Sequence, residues 1–87
     1  MAQTNKLETH AMLWFEEDNQ ATPLQAAQNA GRYFHQKYGL VPQRIALPEA
    51  WQDAATRIEE ELDGLKVVVD KLVQPRHVAV SVEQGQR

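Results

Sequence analysis

TPLQAAQNAGRYFHQKYGLVPQRIALP, residues 22–48, decides the fold, because it holds a complete helix, its exit and the strand that follows. Thr22 is an N-cap whose hydroxyl can accept from the free amides of the first turn. Pro23 suits the first helical position, where a missing N–H costs nothing, and Gln25 completes a Thr-x-x-Gln capping box. Ala27, Ala30, Phe34 and Tyr38 lie on one stripe at helical spacing, with Leu24 at its head. Gly39 stands where the chain must turn left-handed to leave the helix, and Leu40 is placed to fold back on the last turn. Pro42 holds Val41 extended, and Ile45 with Leu47 reads as a short strand ended by Pro48. Small residues early and aromatics late predict a helix whose N-terminal end lies close to a sheet.

Upstream, HAMLWFEE (residues 10–17) carries the apolar run Met12 to Phe15, stopped by Glu16, Glu17, Asp18 and Asn19. A run this short and aromatic reads as a strand buried on both faces. Downstream, EAWQDAATRIEEELDG (49–64) reads as a second helix with Trp51, Ala55, Ile58 and Leu62 on its apolar stripe. Glu49 and Asp53 favour the positive end of its dipole. Val67, Val68, Val69, Leu72 and Val73 then give a β-branched run, Gln74-Pro75-Arg76 a tight turn, and 77–82 a strand. In that strand His77, Ala79 and Ser81 alternate with Val78, Val80 and Val82, so the end of the chain reads as a hairpin with its last strand half-buried.

The order β-α-β-α-β-β predicts an α/β (α+β) domain: a two-layer sandwich with a four-stranded mixed sheet and two helices. Each strand–helix–strand step should join parallel strands. Two helices in so short a chain should cover one face and leave the other face of the sheet open; a doubly wound sheet with one helix on each side is the competing arrangement. The whole chain, 1–87, reads as one domain with an ordered core over about 8–83 and short frayed ends.

Composition narrows the function classes. Of the 87 residues 43% are hydrophobic and 24% charged, ordinary for a globular domain, and the formal net charge is −3. Nothing draws the chain as a whole to phosphate backbones or anionic lipid. Lys37, Arg44 and Arg76 with Tyr33 and Tyr38 make a poor nucleic-acid patch, because no basic cluster accompanies them. The absence of cysteine removes disulfides, thiolate zinc sites and thiol catalysis, and agrees with a reducing cytoplasm. No stretch approaches the roughly 20 apolar residues that span a bilayer, and MAQTNKLETH lacks a secretory leader pattern.

Few residues carry chemistry. His10, His35 and His77 are far apart and form no metal-binding spacing. The only serine, Ser81, sits inside a strand. Glu16 and Asp18 follow the first strand, at the sheet end where open α/β folds bind ligands, and carboxylates there can hold magnesium or act as acid and base. Arg76 and His77 stand at the start of the last strand. Glu16, Asp18, Arg76 and His77 are therefore the candidate binding residues, with no catalytic set and no cofactor called for.

The segments YFHQKYGLVPQRIALP and VQPRHVAVSVE together resemble a pattern of small uncharacterised bacterial proteins. In these an aromatic helix ending in Tyr-Gly-x-x-Pro feeds a strand, and a late Pro-x-His precedes the final strand. The resemblance spans about residues 10–83, implies a bacterial or mobile-element origin, and draws attention to His77. It implies no activity.

Two functions are open on these residues. One is a non-enzymatic interaction module, a homodimer or the partner of another protein, pairing through the final hairpin or the helix-free sheet face. The other is a small ligand-binding or metal-assisted hydrolytic domain using the acidic residues after the first strand. Small size, an open face and missing catalytic spacing favour the first.

Overall fold

The punctuation of residues 22–39 operates as the sequence predicts. Thr22 is extended (φ −78°, ψ 163°) and caps α1 (Pro23–Tyr38): its Oγ1 accepts from Gln25 N at 3.1 Å, and Gln25 Oε1 accepts from Thr22 N at 2.9 Å. At the far end Gly39 is left-handed (φ 69°, ψ 17°) and its N–H donates to the His35 carbonyl at 2.8 Å. An added Cβ at Gly39 would touch nothing within 4 Å, so the backbone angle alone selects glycine there.

The computed structural model describes residues 8–84, with side chains for 10–82. Its elements in order are β1 (Glu8–Phe15), α1, β2 (Arg44–Leu47), a 3₁₀ segment (Glu49–Ala54), α2 (Ala55–Glu61), β3 (Lys66–Val69) and β4 (His77–Gln84). The four strands form one mixed sheet in the order β1-β4-β2-β3. β4 is antiparallel to both β1 and β2, and β2 is parallel to β3, so β1 and β2 run parallel on either side of β4. Ala26, Ala27, Ala30 and Phe34 of α1 and Ile58 of α2 share one core with Ile45, Leu47, Val67, Val78, Val80 and Val82 of the sheet. Both helices thus lie on one face, and the domain is the two-layer α+β sandwich predicted. No described helix is long and apolar enough to cross a membrane.

Four expectations need correction. The first is the terminal hairpin. A turn does form at Gln74–His77, where His77 N donates to the Gln74 carbonyl at 3.1 Å, but β3 and β4 do not pair. β3 ends at Val69, and residues 70–76 carry the chain past β2. In the central position β4 is hydrogen-bonded along both sides and buries Val78, Val80 and Val82, whereas a hairpin would have left it at an edge. The edges are β1 and β3.

The second concerns β1, expected to be buried on both faces. Met12 and Trp14 pack on the core, but Leu13 is 61% and Phe15 50% exposed. Both helices lie on the other side, so nothing in the described chain covers these two. The third is the second helix, which begins as a 3₁₀ segment with Trp51 at φ −110°, ψ 16°. Pro48 at its N-cap has no side-chain acceptor for the free amides, and the α-helical geometry is confined to Ala55–Glu61. Its stripe survives: Ile58 is fully buried, and Trp51, Ala55 and Leu62 pack on the core. The fourth is the tail: EQGQR (83–87) reads as a frayed end, but Glu83 and Gln84 extend β4. The rest of the expected frayed ends, 1–7 and 85–87, lies outside the described residues.

Candidate functional site

The four candidate residues meet at one end of the sheet, and they meet as a latch. Arg76 occupies the third position of the Gln74–His77 turn with φ 64°, a left-handed angle disfavoured for a side chain with Cβ. From there its Nε and Nη2 donate to the Glu16 carbonyl at 3.1 and 2.9 Å, and Nη2 donates also to the Asp18 carbonyl. Its own carbonyl accepts from Glu16 N at 2.9 Å, one step beyond the β1–β4 ladder. One guanidinium thereby ties the start of β4 to the loop that leaves β1.

Glu16 completes the latch from the other side. It is buried, and both its oxygens are engaged: Oε1 accepts from Trp14 Nε1 at 3.1 Å and Asn29 Nδ2 at 3.2 Å, and Oε2 accepts from Asp18 N at 3.2 Å. The Trp14 bond is the main reason its pKa lies below the ordinary 4.5. Burial opposes the shift, and the Asn29 and Asp18 bonds and the charge of Arg76 add to it. A carboxylate held ionised by donors on three residues is built to order a loop. Asp18 turns the loop itself, its Oδ1 accepting from Gln20 N at 2.8 Å. His77 Nδ1 donates to the Pro75 carbonyl at 2.9 Å, and its ring lies against Phe15, 4.9 Å between centroids.

Beside the latch, Trp14, Phe15, Glu16, Glu17, Asp18 and Tyr33 line an open cleft of about 580 Å³, with the Trp14 and Tyr33 rings 5.4 Å apart. Among the described residues no three of the His, Asp and Glu side chains converge closely enough to hold a metal ion. His10 stands on the Tyr38 ring and His35 Nδ1 lies 3.2 Å from the Leu40 carbonyl, each far from His77 in the chain.

The larger unoccupied surface is the helix-free face of the sheet. Register and alternation set its side chains in three rows across the strands. The first row is Ala11, Ser81, Arg44 and Lys66; the second is Leu13, Ala79, Ala46 and Val68. The third pairs Phe15 with His77 and reaches Asp70, whose N–H continues the β2–β3 ladder to the Leu47 carbonyl at 2.9 Å. Arg44 and Lys66 are exposed and form no ion pair among the described residues. The face therefore runs from a basic row through an apolar row to an aromatic and acidic one.

Sequence reasoning set His77, Ala79 and Ser81 opposite the valines of β4 but missed Leu13, Phe15, Arg44 and Lys66. In HAMLWF both parities are apolar, so alternation gave no sign of which side was open. Arg44 and Lys66 become neighbours only through the β2–β3 register. Comparison with protein-family models, curated proteins and solved structures finds no match, so function has to be argued from this geometry.

Proposed function

We propose that the protein is a small non-enzymatic interaction module that self-associates through the helix-free face of its sheet. The observation that carries this reading is the row Leu13–Ala79–Ala46–Val68, which crosses all four strands on a face no described element covers, with Leu13 61% and neighbouring Phe15 50% exposed. A contiguous apolar band on a charged surface is the mark of a contact site. A second copy is the favoured occupant because opposite charges flank the band, so the face complements itself, and two-fold pairing is the commonest closed assembly. A bacterial cytoplasm suits a cysteine-free chain of this kind.

The alternative, a metal-assisted hydrolytic or ligand-binding domain at the acidic loop, has less to stand on. Glu16, its leading carboxylate, already accepts three hydrogen bonds, and Arg76 is occupied by backbone carbonyls.

Sedimentation velocity from about 10 to 500 µM tests the reading, since a contact this small belongs to the weak class of interfaces. The sedimentation coefficient should rise toward that of a dimer. Leu13→Asp, at an exposed position where the fold tolerates charge, should hold the protein monomeric with an unchanged circular dichroism spectrum. A wild-type monomer across the whole range would overturn the proposal.

A further inference from the structure

The three rows of the helix-free face also specify how two copies meet. This step rests on the self-association proposed above and adds its geometry. Read along each strand, the face is a set of columns. On β3 the column is Lys66, Val68, Asp70: positive, apolar, negative. On β1 it is Ala11, Leu13, Phe15: small, large, aromatic. On β4 it is His77, Ala79, Ser81.

We infer that two copies stack face to face about a two-fold axis that crosses the strands along the apolar row, so that facing strands run in opposite directions. Such an axis keeps each strand over its own counterpart and exchanges its two ends. Lys66 of one copy then meets Asp70 of the other, twice per dimer. Phe15 lies over Ala11, so the largest side chain of that column falls on the smallest. Leu13 meets Leu13, Val68 meets Val68, and His77 faces Ser81. The columns of β1, β3 and β4 are each complementary to their own reverse, while β2 brings only Arg44 and Ala46 to this face, since Pro48 at the third level is buried.

The other face-to-face arrangement, with the axis along the strands, keeps like ends together. It would set Lys66 of one copy over Ala11 of the other and Arg44 over Ser81, and it would leave Asp70 over Phe15 with no cation to meet. Aligned sheets pack about 10 Å apart and cross at about 30°. For the outer β3 column that angle is a displacement of a few ångströms, which the flexible Lys66 side chain absorbs. Asp70 retains a free oxygen for the contact, because only Oδ1 is held, by Leu72 N at 2.9 Å. Four strands about 4.8 Å apart and three rows about 7 Å apart give a footprint of about 300 Å² per copy. That is a transient contact rather than an obligate one, and opposite charge at its ends serves to fix its register.

Charge exchange tests the arrangement. Lys66→Asp makes the β3 column acidic at both ends and Asp70→Lys makes it basic at both ends. Each variant alone should dimerise at least about tenfold more weakly than the wild type, because like charges now face each other. An equimolar mixture of the two should form a one-to-one heterodimer, and the double variant Lys66→Asp/Asp70→Lys should self-associate as the wild type does. Sedimentation of the single, mixed and double samples reads all three, with thermal melting as the control for folding. If Asp70→Lys melts early because the Leu72 turn is lost, Asp70→Asn keeps the acceptor and should still weaken the dimer. A wild-type dimer with single variants that pair as tightly as it does, or a mixture that stays monomeric, overturns this geometry and leaves self-association standing. A wild-type monomer overturns both.

Discussion

The two faces of this sheet are cut from the same strands, yet their side chains obey different rules. Toward the helices β2 and β4 present Ile45, Leu47, Val78 and Val80, all fully buried. One residue along, toward the open side, they present Ala46 and Ala79 between Arg44 and His77. The covered face is filled by branched side chains that interlock with α1 and α2. The open face is flat at its centre, where two alanines lie between Leu13 and Val68. Bulk is placed where a second layer is guaranteed, and a shallow apolar band with charged flanks where the second layer has to come from outside. β1 shows the difference most directly: Met12 and Trp14 serve the core while Leu13 and Phe15, their immediate neighbours, remain exposed.

Substitutions that set one face against the other test this contrast. Phe34→Ala removes the largest side chain buried between α1 and the sheet and should cost about 3–5 kcal/mol in denaturant unfolding. Leu13→Ala should stay within about 0.5 kcal/mol in the monomer, as surface changes do. Comparable losses at the two positions would mean that Leu13 is covered in the folded monomer, and the contrast between faces would collapse.

A smaller effect is expected at the latch that ties the start of β4 to the loop leaving β1. Arg76→Ala removes the donors to the Glu16 and Asp18 carbonyls and should cost about 1–3 kcal/mol. Arg76→Gly loses the same donors but relaxes the φ of 64°, so it should be the more stable of the two by about 1 kcal/mol. A glycine variant no better than alanine would show that the turn carries no strain.

The last effect appears only as a dependence on pH. Glu16 has a lowered pKa in the folded state, so its contribution is complete above the ordinary value of 4.5 and is lost as pH falls below that through the folded value. Glu16→Gln should therefore be less stable than wild type near neutrality, and the gap should close on acidification below about 4.5. Urea midpoints for the two proteins between about pH 7 and 3 measure it. A gap that stays constant would show that the charge on Glu16 plays no part in holding the loop.

Much of this protein was determined within short stretches of its sequence. Thr22, Pro23, Gln25 and Gly39 set both ends of α1 through bonds that span no more than four residues, and the stripe from Ala27 to Tyr38 chose the face it buries. Gln74-Pro75-Arg76 fixed a turn, and the alternation of 77–82 sorted the valines from the outward residues of β4 correctly. The candidate residues Glu16, Asp18, Arg76 and His77 were legible as a group by their places at strand ends, but their mutual contacts were not. The Arg76 bonds to Glu16 and Asp18 reach across about 60 positions of the chain. Strand order likewise belonged to the tertiary structure: adjacency in sequence favoured a β3–β4 hairpin, whereas inserting β4 between β1 and β2 satisfies its hydrogen bonds on both sides and buries its valines under α1. That choice made β1 an edge; placing both helices on one face exposed Leu13 and Phe15, and the β2–β3 register aligned Arg44 with Lys66. Local patterns specify which residues prefer burial. Which of them are left uncovered is decided only when distant strands compete for the same neighbours.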